Sequence, residues 1–261
     1  SEIEPIAKAI YRRNHGMLPS GDITKLEPRS IPDMDMVCGG WPCQDLSISN
    51  SRGKNLEGDR SGLFYTLAEI IRVKRPKLVV LENSDMLMSN NRLHVLKAIR
   101  ETFEAMGYVF FSKVLQASLF GIPQSRKRTF IVAFEKSLGV QKFDFPSPPG
   151  LIVPVKAILE KGAHVQDWAY DHYMLHNGDT HPTKKKKVEP WEPKSLMSVG
   201  RGKQGQRIYD ISHPGITVMA SGGGTSKGRG IYKVGKGYRL LTDRELARMM
   251  GLPETFHLVV R

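Results

Sequence analysis

Cys43 ends the run Val37-Cys38-Gly39-Gly40-Trp41-Pro42-Cys43, where an apolar, strand-like segment gives way to two glycines and a Pro-Cys pair. Glycine permits backbone conformations closed to other residues and Pro42 fixes its own φ. The sulfur is therefore expected at a sharp bend at a strand's carboxyl end, displayed as a nucleophile. Cys38, the chain's other cysteine, lies inside the apolar run and is expected to be an inert, buried thiol. A second candidate is Glu82 in Leu81-Glu82-Asn83, at the end of a wholly apolar run. A carboxylate there either caps a turn or does chemistry. Burial against apolar neighbours would raise its pKa and let it share a proton near neutrality. The third is Gln124-Ser125-Arg126-Lys127-Arg128. Arginines alternating on a strand share a face, so both guanidiniums can converge on one anion or base edge. Taken singly, the Glu and the arginines are weak signals that a surface role would also explain.

The elements that must carry these groups follow from apolar periodicity. Glu4 to Asn14 reads as helix, Met34 to Gly39 as strand, and Gly62 to Lys74 as a helix with Leu63, Phe64, Leu67, Ile70 and Ile71 on one face. Lys77 to Glu82 is a continuous apolar strand of the kind buried on both faces. Leu93, Leu96, Ile99 and Phe103 then mark a second amphipathic helix, and Tyr108 to Leu115 and Arg128 to Phe134 two further strands. This rhythm is that of an α/β doubly wound sheet, mostly parallel. The three candidate segments fall at the carboxyl ends of its strands or on adjoining turns, where such sheets place their sites. Ser49 to Arg60 is polar and glycine-bearing, as a mobile active-site loop would be.

A Pro-rich cluster at 145–150 ends the rhythm, and it divides the chain into a catalytic part, 1–149, and a second, smaller part, 150–235. The latter reads as irregular, with Lys and Arg numbering thirteen against seven Asp and Glu over Leu151 to Gly235. Residues 236–261 are expected to return to the first part, through a helix opened by a capping box at Thr242-Asp243-Arg244-Glu245.

The formal charge of +13 favours a polyanion over an acidic small molecule as partner. Lys184 to Lys187 serves equally well as a solvated loop tip or as a phosphate contact. Two cysteines make no disulfide framework and the first residues resemble no signal peptide, so a cytoplasmic setting is the default. No apolar stretch is long enough to span a membrane, and no metal site is assigned.

Together, Gly39-Gly40-Trp41-Pro42-Cys43-Gln44, Glu82-Asn83, Gln124-x-Arg126-x-Arg128 and Arg239-x-Leu241-Thr242-x-Arg244-Glu245 through Pro253 resemble, in order, the C5-cytosine DNA methyltransferases. The resemblance implies a class I, Rossmann-like fold, S-adenosylmethionine as cofactor and double-stranded DNA as substrate. Cys43 would attack cytosine C6, Glu82 would share a proton with N3, Arg128 would hold O2, and Arg126 would help orient thiol and base. Glu2 and Ile3 match the motif that holds the cofactor ribose and adenine. Asp22 and Ile23 match another that binds the adenine, and Leu63 and Pro42 line the pocket. Ser49 matches a position that enters the gap left by a flipped base. The smaller part would be the target-recognition region, with Arg201, Lys203, Arg207 and Lys227 on phosphates or bases.

Relative to that family a Phe-x-Gly-x-Gly strand-loop is expected before Ser1 and a Gly-Asn-Ser helix after Arg261, and Ser84 stands where Val is usual. The expectation is a fragment, or a monomer unless a second chain supplies those pieces, with impaired cofactor binding. A tRNA cytosine methyltransferase and a catalytically inactive DNA-binding remnant are the rival readings.

Overall fold

The computed structural model describes residues 1–42, 62–163, 180–182, 187–199, 207–219, 229–235 and 237–258. The chain divides into two compact units, one formed by Ser1–Leu115 with Lys127–Pro146 and the other by Gln116–Arg126 with Ser147–Val260.

In the first unit the apolar runs form strands β1 (Met36–Gly40), β2 (Leu78–Ser84), β3 (Tyr108–Gln116) and β4 (Lys127–Glu135), in the sheet order β1-β2-β4-β3. β1 is parallel to β2, whereas β4 runs antiparallel to it. Helices α1 (Pro5–His15), α2 (Leu63–Lys74) and α3 (Leu93–Ala105) accompany the sheet. The face read from the spacing in α2 is the buried one, carrying Phe64, Leu67, Ile70 and Ile71. These side chains meet Val79 and Leu81 of β2 and Ile99 and Phe103 of α3 in one core. Burying apolar groups of this size stabilises by about 1.5–3 kcal/mol each.

Two expectations need correction here. The β2 run was expected to be buried on both faces, yet only Val79, Leu81 and Asn83 are buried, and the alternate Leu78, Val80 and Glu82 are partly covered. Cys38 is exposed rather than buried. The reason is position: β1 is an edge strand whose pattern buries Val37 alone, so an apolar sequence does not by itself provide cover.

The second unit holds the stretch that read as irregular. Its described part is instead a five-stranded sheet, β5 (Thr180–Pro182), β6 (Ser195–Val199), β7 (Arg207–Asp210), β8 (Ile231–Val234) and β9 (Gly237–Arg239), in that order. β7 and β8 are parallel and the other pairs antiparallel. Residues 237–258, part of the stretch expected to rejoin the catalytic part, belong to this unit, where helix α4 (Asp243–Met249) contributes Met249 to a core with Val155, Tyr209, Ile216, Tyr232 and Leu241. The capping box read from Thr242 and Glu245 is fully formed at its start. Among the described residues no helix is long and apolar enough to cross a membrane.

Candidate active site

Strand direction explains why distant motifs meet. Because β1 and β2 are parallel with Gly40 opposite Glu82, their carboxyl ends lie side by side. Because β4 is antiparallel to β2 with Arg128 opposite Ser84, its amino end arrives at the same edge. Glu82 faces Phe130, and Arg128 is two residues away on β4, so the period-2 pleat puts carboxylate and guanidinium on one face. Arg128 Nε lies 2.7 Å from Glu82 Oε1, and Arg128 Nη1 also donates to the Lys127 carbonyl at 2.6 Å. Glu82 was expected to be buried among apolar groups. Its side chain is instead 40% exposed and paired with a cation.

The two glycines of the Cys43 segment work differently from the bend expected of them. Both belong to β1, and neither has a positive φ. A Cβ on Gly40 would come within 2.7 Å of the Glu82 carbonyl oxygen and 3.5 Å of Glu82 Oε2. Hydrogen in place of a side chain is what lets the two strand ends approach. Beyond Gly40, the buried Trp41 ring packs on Phe64 with centroids 5.1 Å apart. The Trp41 carbonyl accepts a 2.9 Å hydrogen bond from Asn83 Nδ2, whose side chain is buried. Trp41 Nε1 is buried without a partner among the described residues. Pro42 follows, exposed. Cys43 and Ser49 lie outside the described residues, as do Arg201, Lys203, Lys227 and Lys184 to Lys186.

Arg126 stands before the first residue of β4, so the strand alternation expected to align it with Arg128 does not extend to it. Its Nη1 makes a long 3.5 Å contact to the Val218 carbonyl. The same segment is laced to residues 215–218 by Ser125 N–H on the Gly215 carbonyl, Thr217 Oγ1 on the Ser125 carbonyl, and Val218 N–H on Gln124 Oε1. Gln124, fully buried, also donates to the Met249 carbonyl at the end of α4. Sequence reasoning assigned roles to the arginines and named Gln124 and Asn83 only as motif members, without a role. The signal available for both was an amide inside a motif at an apolar run's end, where a buried amide must find partners.

The expected cofactor residues are brought partly together. Glu2 N–H donates to the Ser20 carbonyl at 2.9 Å, which places the first residues beside the Asp22 turn. Glu2 Oε1 accepts from the amides of Ile3 and Glu4, and Ile3 is 66% exposed. Asp22 Oδ1 caps a short 3-10 turn through Thr24 N–H and Oγ1. The Thr24 hydroxyl, then its amide, holds the Asp22 carboxyl below the usual range. That turn, containing Ile23, adjoins α2, whose first residue Leu63 is packed against the core. Arg207 is exposed at the start of β7.

Among curated proteins, the Type II methyltransferase M.HhaI of Haemophilus parahaemolyticus is 37% identical over 258 residues, covering 98% of this chain and 77% of that protein. M.NgoBI of Neisseria gonorrhoeae is 32% identical over 262 residues, covering 99% and 76%. Among solved structures, a Spodoptera frugiperda DNMT2 variant superposes with TM-score 0.67 at 16% identity, over 99% of this chain and 82% of that one. A putative DNA modification methyltransferase from an E. coli prophage gives 0.65 at 17%, over 98% and 82%. Those likenesses establish the Rossmann-like methyltransferase fold. The family model described as C-5 cytosine-specific DNA methylase matches residues 1–261, and the chain belongs to that family.

Proposed function

We propose that this chain methylates C5 of a cytosine flipped out of duplex DNA, with Cys43 as covalent nucleophile and S-adenosylmethionine as methyl donor. The observation that carries the reading is the meeting, at one end of the first unit's sheet, of the chain leaving β1 at Gly40 and Trp41, the Glu82 carboxylate and the Arg128 guanidinium.

The chemistry needs these groups together. Cytosine C5 is unreactive while the ring is aromatic. Cys43 thiolate forms a bond to C6, the displaced electron pair moves toward N3 and O2, and Glu82 shares a proton with N3 as that charge develops. Arg128, already beside Glu82, offers N–H donors to O2. C5 then carries enamine character and takes the methyl group from the donor's sulfonium. Loss of the C5 proton to water returns its electron pair to the ring, expels the Cys43 thiolate and lets the proton shared with N3 go back to Glu82. The base must leave the stack first, at a cost of about a few kcal/mol.

The residues present fit such a donor. Glu2 and Asp22 offer carboxylate oxygens for ribose hydroxyls and an adenine amine, and Ile3 leaves an apolar surface exposed beside them. Leu63 and Pro42 would close the pocket, and Arg126 would help orient thiol and base. Ser49 would enter the vacated gap in the duplex. Arg201, Lys203, Arg207 and Lys227 would take phosphates or base edges in a target-recognition role. The Type II names of its relatives point to restriction–modification as the setting.

DNA containing 5-fluorocytosine tests this. Fluorine cannot leave as a cation after methyl transfer, so the C6 adduct should persist as a denaturant-stable complex in the full-length protein and vanish in Cys43→Ala. A complex that survives Cys43→Ala, or methylation of tRNA in preference to duplex DNA, refutes it.

A further inference from the structure

We propose that Ser84 contacts the substrate: its hydroxyl donates a second hydrogen bond to O2 of the extruded cytosine, beside the one from Arg128. The proposal rests on the methylation reading above and adds a residue to it.

Strand pairing places the hydroxyl. Along β2, Leu78, Val80, Glu82 and Ser84 alternate with the buried Val79, Leu81 and Asn83, so Glu82 and Ser84 share a face. Ser84 stands directly opposite Arg128 in the antiparallel pairing with β4, and side chains paired in this way rise from the same face with Cβ atoms about 5 Å apart. Ser84 therefore adjoins the Glu82–Arg128 pair, whose atoms meet at 2.7 Å. A base that offers N3 to Glu82 and O2 to Arg128 turns its O2 edge toward the strand position that Ser84 occupies. A carbonyl oxygen has two lone pairs, and the guanidinium uses one of them. Val, usual in the family at this position, could donate nothing to the other.

The main chain of Ser84 is held firmly and its hydroxyl is not. The amide donates to Asn83 Oδ1 at 2.8 Å, and the carbonyl accepts from Thr129 Oγ1 at 3.1 Å. The hydroxyl reaches Asp85 Oδ1 and the Met86 N–H only at 3.3 Å each. Those lengths exceed the usual values of about 2.7–3.0 Å, so both bonds exchange at small cost. Ser84 is half-buried, which leaves it open to a ligand on this face. Charge displaced toward O2 during the reaction would strengthen the new bond. Capping the 3-10 turn Asp85–Met88 is the hydroxyl's other job, and the experiment must separate the two.

In the full-length protein with S-adenosylhomocysteine in place of the donor, Kd is measured by filter binding for two cognate duplexes that differ at the target position alone, one carrying cytosine and the other an abasic sugar. Ser84→Ala should weaken binding of the cytosine duplex by about fivefold, the scale of one hydrogen bond, and leave the abasic duplex within about twofold of the parent. Should Ser84→Ala fail to fold, Ser84→Val is measured in the same way. A cytosine-duplex Kd within twofold of the parent overturns the proposal. So does an equal loss on both duplexes, or failure of both variants to fold, since each assigns the hydroxyl to the turn or to the sugar–phosphate chain rather than to the base. Trapping on 5-fluorocytosine DNA that survives Cys43→Ala would refute the methylation reading instead.

Discussion

Gly39 and Gly40 are adjacent in β1 and should respond oppositely to a single added methyl group. A Cβ on Gly39 meets only Leu67 Cδ2, at 4.0 Å, an ordinary contact. A Cβ on Gly40 meets the Glu82 carbonyl oxygen at 2.7 Å, against the 3.4 Å at which ordinary contact begins, so the strands must open by about 0.7 Å. The clash is with backbone, which cannot swing aside. Overpacking of this kind costs about 1–3 kcal/mol. The displaced residue is Glu82 itself, and misplacing a reacting group by an ångström costs about 100-fold in rate, so 0.7 Å should cost about tenfold or more. Single-turnover transfer of a tritiated methyl group to cytosine-containing duplex, with thermal melts alongside, measures both consequences. Gly40→Ala should lose both rate and melting temperature, while Gly39→Ala stays close to the parent. Equal behaviour of the two variants, or a Gly40→Ala rate within twofold of the parent, refutes the close-approach argument.

Glu245→Ala in the second unit should destabilise by about 3–5 kcal/mol, because it strands a buried guanidinium; denaturant unfolding showing less than about 1 kcal/mol would refute this. Burial pushes the Glu245 carboxyl upward, but hydrogen bonds from Arg239 and from the Glu160 and Thr242 amides outweigh it and hold the group below its ordinary value. That stability is complete above the unfolded value of about 4.3 and is lost as pH falls through the lower folded value. Melts should therefore weaken between about pH 5 and the acid limit in the parent, and less steeply in Glu245→Gln; identical slopes would contradict the assignment. With a formal charge of +13, affinity for duplex DNA should fall steeply with salt, by about 1000-fold or more between roughly 50 and 200 mM. A filter-binding loss below tenfold would mean that few phosphates are contacted.

Apolar periodicity located the helices and strands of the first unit. The run expected over Lys77 to Glu82 is β2 at Leu78–Ser84, and the helix expected over Gly62 to Lys74 is α2 at Leu63–Lys74. Local capping chemistry was equally readable, since Thr242 and Glu245 satisfy each other within four residues. What failed depends on partners distant in sequence. Strands β5 to β9 are three to five residues long, and β7 (Arg207–Asp210) pairs in parallel with the distant β8 (Ile231–Val234), so none carries enough periodic signal alone. Cys38 sits in an apolar run but on an edge strand, and exposure is a property of the sheet order. Gly40 looked like a bend residue because glycine serves both bends and close contacts, and only the 2.7 Å approach to Glu82 separates the two.

Among the described residues two Glu–Arg pairs fall in the motifs, and their differing burial argues for differing jobs. Glu245 is 0% and Arg239 10% exposed, and the carboxylate accepts four hydrogen bonds, two from the guanidinium and one each from the Glu160 and Thr242 amides. Separating that pair would leave a charge in a place water cannot reach, so it acts as a fixed tie between β9, α4 and the preceding segment. Glu82 and Arg128 are also in contact at 2.7 Å, but at 40% and 22% exposure. Pairs open to solvent are worth only about 0–1 kcal/mol, so this one can exchange partners at small cost. A cytosine ring would replace the ion pair with two hydrogen bonds if Glu82 takes up a proton to share with N3, an acceptor like the carboxylate itself, while Arg128 donates to O2. On the proposed mechanism, the half-exposed pair would hold both groups on one face of the sheet until the base arrives, a task that the sealed pair could not perform.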